Sequence, residues 1–461
     1  MKTMLTVVLV AMCACLAAGT QGQSPAVTTA VVDPGPRGGS IGAGGFLPGL
    51  TAAQLAQAQD GAARFVETET FPGGLGPFYN SGPFKACGEC HAQPAIGGTS
   101  PSLTAYPFVG QNPQATVDYN ADGAINIIPP FITPDGPVSE MRLKYFHNAD
   151  GSLNTAMPDG GVHDLFTVTG RADNTTCTLA QPNFAEELAL GNASFRIPTP
   201  VFGLGLIENI PNEAIITNMN ANPLAKLLLG ISGHTNTNPN DGTITRFGWK
   251  AQNKSGLVFA GEAYNVEVGV SNELFPTERP MPGSVLPASC RINPTPEDTS
   301  NPSLAGVQVL SDIEEFAAFM RDLAAPAPSV PLGTMPGQQV FNEVGCALCH
   351  TPVLVSGPSS EATAISNAQV NLFSDLLVHN LGVGLADGVT QGTATGQEFR
   401  SAPLWGVGQR AFLLHDGRCT TLPCAIQAHV SQGSEANTVI GLFNHRSPSD
   451  QQALIAFLRS L

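Results

Sequence analysis

Ten cysteines and nine histidines are spread over 461 residues, and four of those cysteines repeat one spacing. Cys87-Gly88-Glu89-Cys90-His91 and Cys346-Ala347-Leu348-Cys349-His350 both read CxxCH. Two thiols separated by two residues reach the two vinyl groups of one porphyrin, and an imidazole directly after the second thiol can coordinate the iron. A redox CxxC pair and half of a zinc site are the competing readings. A structural zinc site needs four clustered Cys or His ligands, and neither copy has a second CxxC beside it. The spacing therefore predicts two covalently attached haem c groups, held by Cys87, Cys90, Cys346 and Cys349, with His91 and His350 as iron ligands.

The elements that must present these motifs follow a repeated order. Thr51 is expected to cap a helix running through Leu55 and Ala62 to Phe65, ahead of the first motif. Met335 to Val344 reads as a short helix ahead of the second. After each motif comes a Pro/Gly-rich segment: Phe195-Arg196 followed by Pro200 to Gly205 matches Phe399-Arg400 followed by Pro403 to Gly408. Each copy then closes with a helix, one opened by the capping box Ser311 to Glu314 and the other by Ser449 to Gln452. This order predicts a mainly α fold with long irregular loops, made of two cytochrome c-like domains of which the first carries large insertions. The expected boundaries are a flexible tether over residues 20–50, a first haem domain over 51–325 and a second over 326–461, joined by the Pro-rich stretch Ala324 to Gly333. From Ile96 to Ala193 the chain is punctuated by Pro, Gly, Asn and Asp, which predicts irregular loops and short strands, one of them at Asp164 to Gly170.

Composition bounds the setting. Charged residues are 12% of the chain, about half the usual share, and the formal net charge is −16. That balance argues against nucleic acid or an anionic lipid surface and suits a small, positively charged electron-donor protein as partner. Residues 1–19 have a basic start at Lys2, an apolar run from Leu5 to Leu16 and small residues at Ala17 to Gly19, the pattern of a secretory signal peptide. A lipid anchor through Cys15 is the weaker alternative, because Met12, Cys13 and Ala14 fit its motif poorly. No later run is long and apolar enough to cross a bilayer, so a periplasmic or secreted protein is expected. Cys177, Cys290, Cys419 and Cys424 remain after the haem thiols and the leader cysteines. An even remainder outside the cytoplasm suggests disulfides, Cys419 with Cys424 as the local pair and Cys177 with Cys290 by default.

Beyond the motifs, Leu75 to Asn80, Gly160 to Phe166, Arg196 to Glu208, Arg246 to Ala251, Phe373 to His379 and Phe399 to His429 together resemble the bacterial di-haem cytochrome c peroxidase superfamily. The resemblance is greatest to its branch of uncharacterised di-haem oxidoreductases with two CxxC motifs. It implies that His91 and His350 are the proximal ligands of the N- and C-terminal haems. The segment Cys419 to His429 is similar to the stretch that supplies the far-side ligand of the C-terminal iron, which would be His429 here. Arg246 to Val268 resembles the segment that holds an inter-haem Trp and a distal acid, which implies Trp249 as relay and Glu267 as acid/base. The plain readings of these three are a surface helix histidine, a core tryptophan and a solvated glutamate.

The chain also departs from the family. No His follows His91 until His147, so the first iron is expected to be open or capped by His163, His147 or Met141. Where the superfamily carries an Asn for calcium, this chain has the Gly203 region, so calcium does not carry over. Pro211 to Thr245 has no counterpart and could cover or create a substrate pocket. Arg196, Arg400 and Arg418 could neutralise haem propionates, and His379 and His415 suit propionate contact or turn hydrogen bonds. The resemblance thus implies a di-haem oxidoreductase of peroxidase type that acts on a small-molecule oxidant, with electrons passing from a bis-His C-terminal haem to a catalytic N-terminal one. A non-catalytic electron-transfer cytochrome and an oxygen-activating di-haem oxygenase are the alternatives.

Overall fold

The computed structural model describes residues 31–38, 42–79, 85–101, 112–116, 130–158, 168–169, 176–177, 179, 183–278, 285–302, 308–360 and 362–461. The expected signal peptide, Cys15, His163 and most of the expected strand Asp164 to Gly170 lie outside them, although Val168–Thr169 is a strand pairing with Phe78–Tyr79. Helices and long loops make up the described chain, and the sheets are two-stranded.

The helix ahead of the first motif is Ala52–Phe65. Thr51 and Gln54 form a reciprocal capping box at its start, so two otherwise orphaned N–H groups are satisfied. The helix ahead of the second motif is Pro336–Val344, and Pro336 sits where its missing N–H costs nothing. The closing helices are Asp312–Asp322 and Pro448–Ser460. The first has its Ser311/Glu314 capping box as expected. In the second the cap is Ser447, which accepts the Asp450 N–H, and not Ser449. Pro448 explains the shift, because its fixed φ favours the first helical position and moves the start two residues earlier.

The two copies pack alike. A Cβ at Gly61 would collide with the Glu315 carbonyl of the first closing helix, and one at Gly337 with the Ala453 carbonyl of the second. Glycine there lets each leading helix lie directly against its closing helix. The same holds for the loops over the motifs, where Gly205 meets the Arg321 carbonyl and Gly408 meets the Arg459 carbonyl. Arg321 and Arg459 occupy matching positions in the two closing helices, so the internal repeat read from the sequence is a repeat of helix crossings.

Two large apolar cores result. Phe65, Phe316, Phe319, Met320 and Tyr264 centre the first, with Phe65 and Phe319 ring centroids 4.9 Å apart. Phe341, Phe373 and Phe457 centre the second, with centroid separations of 5.6 to 5.9 Å. The first core also takes in Leu354, Val370, Leu372, Leu376, Leu377 and Trp405, which follow the second motif in sequence. The first core thus draws on residues from both sides of residue 325.

The expectation of a flexible tether over residues 20–50 is not met where that stretch is described. Asp33 makes a two-pronged ion pair with Arg459, both N···O distances 2.7 Å, and both side chains are buried. Further along, Arg37 N–H donates to the Gly408 carbonyl at 2.8 Å and Leu47 N–H to the Asp322 carbonyl at 2.8 Å. Gly and Pro composition signalled only the lack of an apolar period. Docking here proceeds through backbone groups and one carboxylate, which periodicity does not register. Both expected disulfides, Cys177 with Cys290 and Cys419 with Cys424, are formed. No helix among the described residues is long and apolar enough to cross a membrane.

Candidate haem cavities

Each CxxCH motif wraps one tight turn. Cys87–Cys90 is a single helical turn in which His91 N–H donates to the Cys87 carbonyl at 3.0 Å. Cys346–Leu348 is a 3-10 turn entered through Gly345 at φ 99°, and His350 N–H donates to the Cys346 carbonyl at 2.9 Å. The turn brings both sulfurs and the imidazole of each motif to the wall of one cavity. The first cavity has an empty volume of about 1090 Å³ and the second about 1420 Å³, counting the parts open to solvent.

The imidazoles are oriented for ligation. His91 Nδ1 lies 3.1 Å from the Gly98 carbonyl and His350 Nδ1 lies 3.1 Å from the Phe373 carbonyl. A carbonyl only accepts, so Nδ1 carries the proton and Nε2 keeps a lone pair for a metal. Burial also pushes both imidazole pKa values down to about 4, keeping them neutral. Burial raises the pKa of the Cys346 thiol to about 12 and pushes that of the Cys87 thiol up as well. Among the described residues no three His, Cys, Asp or Glu side chains cluster as a metal site. Two large cavities, each with a CxxCH and an Nδ1-anchored imidazole, fit a porphyrin.

His429 ends the helix Leu422–Ala428 and lines the second cavity with His350. Its Nδ1 lies 2.7 Å from the Ala425 carbonyl, which again frees Nε2. The disulfide Cys419 with Cys424 braces the start of that helix. His379 lines the cavity too, but both its nitrogens are engaged, Nε2 with Asp375 and Nδ1 with Glu435, each at 3.0 Å. Burial opposes its charge, yet the Cys349 sulfur and the Asp375 carboxylate hold its pKa well above the ordinary value. His415 stacks on Phe399 at a centroid distance of 4.2 Å.

Trp249 borders both cavities. Its indole N–H donates to the Ile197 carbonyl at 2.8 Å, and its ring meets His415 edge-on at 6.4 Å. Glu267 lines the first cavity with Cys87, Cys90 and His91. It stands on a π-helical turn, Tyr264–Val268, that continues the helix Gly256–Ala263. Such turns recur at functional sites because the extra residue re-aims the side chains.

Of the expected caps for the first iron, Met141 is turned away. Strand Glu140–Leu143 alternates, so Glu140 and Arg142 line the cavity while Met141 packs with Leu143 and Phe184. His147 lies outside the cavity, its ring nitrogens 2.8 Å from Gly151 O and 2.8 Å from Glu187 Oε1. Among the described residues lining the first cavity, His91 is the sole imidazole, and the thioether of Met320 belongs to the core around Phe65.

Sequence reasoning missed Glu140, Arg142 and Arg410. The period-two alternation of Glu140 to Leu143 was a usable signal for the first two; Arg410 had none. Arg142 Nε pairs with Glu140 at 2.8 Å and its side chain is 2% exposed. Arg196 lines the same cavity, bound to Asp387 at 2.6 Å, while Arg400 lines the second and Arg418 sits on Asp416 at the surface.

No curated protein matches the sequence. Among solved structures, hydrazine synthase of Kuenenia stuttgartiensis, pressurised with xenon, matches at 17% identity and a TM-score of 0.21, over 32% of this chain and 55% of that one. The family model described as "di-haem oxidoreductase, putative peroxidase" matches residues 146–461, which include Trp249, Glu267, the second CxxCH motif and His429. That span is most of the sequence, and the chain belongs to the di-haem oxidoreductase family.

Proposed function

We propose that this is an exported di-haem c-type oxidoreductase of peroxidase type, with two cytochrome c-like domains. Cys87, Cys90 and His91 would hold one haem; Cys346, Cys349, His350 and His429 would hold the other. The observation that carries this reading is Trp249, which borders both CxxCH cavities at once. When bound, the haems supply one-electron transfer at the second site and peroxide reduction at the first.

The residues then divide the work. His350 and His429 present two neutral imidazoles, a ligand set that suits electron entry and excludes substrate. Trp249 fills the gap between the cavities with a π-system and shortens the distance an electron must cross. Reduction of hydrogen peroxide to two waters consumes two electrons, drawn one at a time from a reduced donor protein, and two protons. Glu267 takes a proton from one peroxide oxygen and returns it to the other as it leaves, and the remaining protons come from solvent. Arg142, held by Glu140, sets a positive charge beside negative charge that develops in the same cavity. The acidic chain favours a basic electron-donor protein.

Electron paramagnetic resonance of the oxidised holoprotein, followed by cyanide and then peroxide, tests the whole assignment. One low-spin bis-imidazole signal, one site that binds cyanide and peroxide turnover are expected. Low-spin signals alone without cyanide binding would make it an electron carrier. Cyanide binding with peroxide left untouched would make it an oxygenase.

A further inference from the structure

Between the two motif cavities lies a third of about 480 Å³, and Trp249 borders it as well. Arg400 and Arg410 line both this seam and the second cavity. They are 8% and 9% exposed. Arg400 Nη1 donates to the Arg246 carbonyl at 2.6 Å, and its Nε has no partner among the described residues. Among the described residues Arg410 reaches the carbonyls of Pro403 and Trp405, at 3.2 and 3.4 Å. Burial lowers the pKa of each to about 10, which still leaves both charged at neutral pH.

Two other buried cations in the region share a counter-charge, while Arg246 is bonded to the Ile207 and Ile210 carbonyls and to Asn212. Arg196 and Lys250 share the Asp387 carboxylate at 2.6 and 3.0 Å. Arg400 and Arg410 form no ion pair among the described residues, although a buried charge without a counter-charge is strongly destabilising. Two buried guanidiniums lining one seam, one of them with an unused donor, suit a planar carboxylate.

We propose that Arg400 and Arg410 form a carboxylate seat in the wall between the two cavities. Its occupant is a propionate of the haem at the second motif or a free small carboxylate. The first source rests on the function proposed above. The seat is tied to the relay position, because Arg400 N–H donates to the Trp249 carbonyl at 2.8 Å. An anion bound there is therefore held in register with the indole. The same two charges keep a divalent cation out of the seam.

The test uses the holoprotein and the single variants Arg400→Gln, Arg410→Gln and Arg400→Lys, with haem content measured first. Fewer than two haems in the parent protein would fail the functional reading and leave the seat to be judged on the free carboxylate. With a propionate in the seat, both Gln variants shift the propionate bending band of the low-spin haem in resonance Raman spectra. They also lower its potential, by about 59 mV if the reduced-to-oxidised ratio falls tenfold at fixed poise. Arg400→Lys restores most of that potential, and acetate at constant ionic strength changes nothing. A free carboxylate instead gives the parent protein a saturable acetate response that Arg400→Gln abolishes. Two haems, no Raman or potential shift in either Gln variant and no acetate response would overturn the proposal, as would a seam that binds calcium.

Discussion

Beside Cys87 and Cys90 the cavity is edged by Glu267, Glu140, Arg142 and Gln114, and His91 is its one imidazole among the described residues. Beside Cys346 and Cys349 leucine, isoleucine and phenylalanine are frequent in the wall, which also holds Arg400, Arg410, His379 and Glu435, and His350 is joined by His429 with the same Nδ1-to-carbonyl anchoring. The proximal turns are near copies, so the contrast comes from what lies across the cavity. A π-helical turn and a short strand deliver acids and a guanidinium to the first site, while a disulfide-braced helix end delivers an imidazole to the second. A duplicated scaffold can thus hold two like cofactors and give them unlike tasks, because axial ligands and local polarity set what a haem does.

The largest expected effect is at the polar site. Glu267→Gln should lower peroxide turnover by about 10²- to 10⁴-fold with both haems and cyanide binding retained; unchanged turnover would erase the chemical distinction between the cavities. Next, His429→Ala should convert one haem from low to high spin and leave the other alone. Added imidazole should restore the original spectrum, and a spectrum that never changed would remove His429 from the ligand set. Smallest is the brace: replacing Cys419 and Cys424 by Ser should cost about 2 kcal/mol by the loop-entropy estimate for so short a loop. Calorimetry would measure that cost, and absorption spectra should show high-spin haem growing on heating. A variant as heat-resistant as the parent in both readouts would mean the helix before His429 needs no brace.

Much of the scaffold was legible because its signals are local. Thr51 and Ser311 cap helices where their side chains reach the third residue on, and Cys419 lies five residues from Cys424. Where a local signal had a rival nearby, reading failed by a residue or two, as when Pro448 moved the last cap to Ser447. The stretch from Val31 to Leu50 was misread for a different reason. Its partners, Arg459, Gly408 and Asp322, are hundreds of residues away. Met141 was named as a candidate ligand while its neighbours Glu140 and Arg142 were not, although one strand alternation governs all three.

From the sequence alone came the two CxxCH turns, the imidazole that follows each and the repeated order of helices, since each depends on residues within a few positions of one another. The tertiary structure decided that Trp249 borders both cavities, that His429 lines the second with His350, and that Arg400 and Arg410 line the seam with no ion pair among the described residues. Those outcomes turn on how segments from distant parts of the chain pack, and side-chain spacing along the chain carries no record of which wall a residue will share.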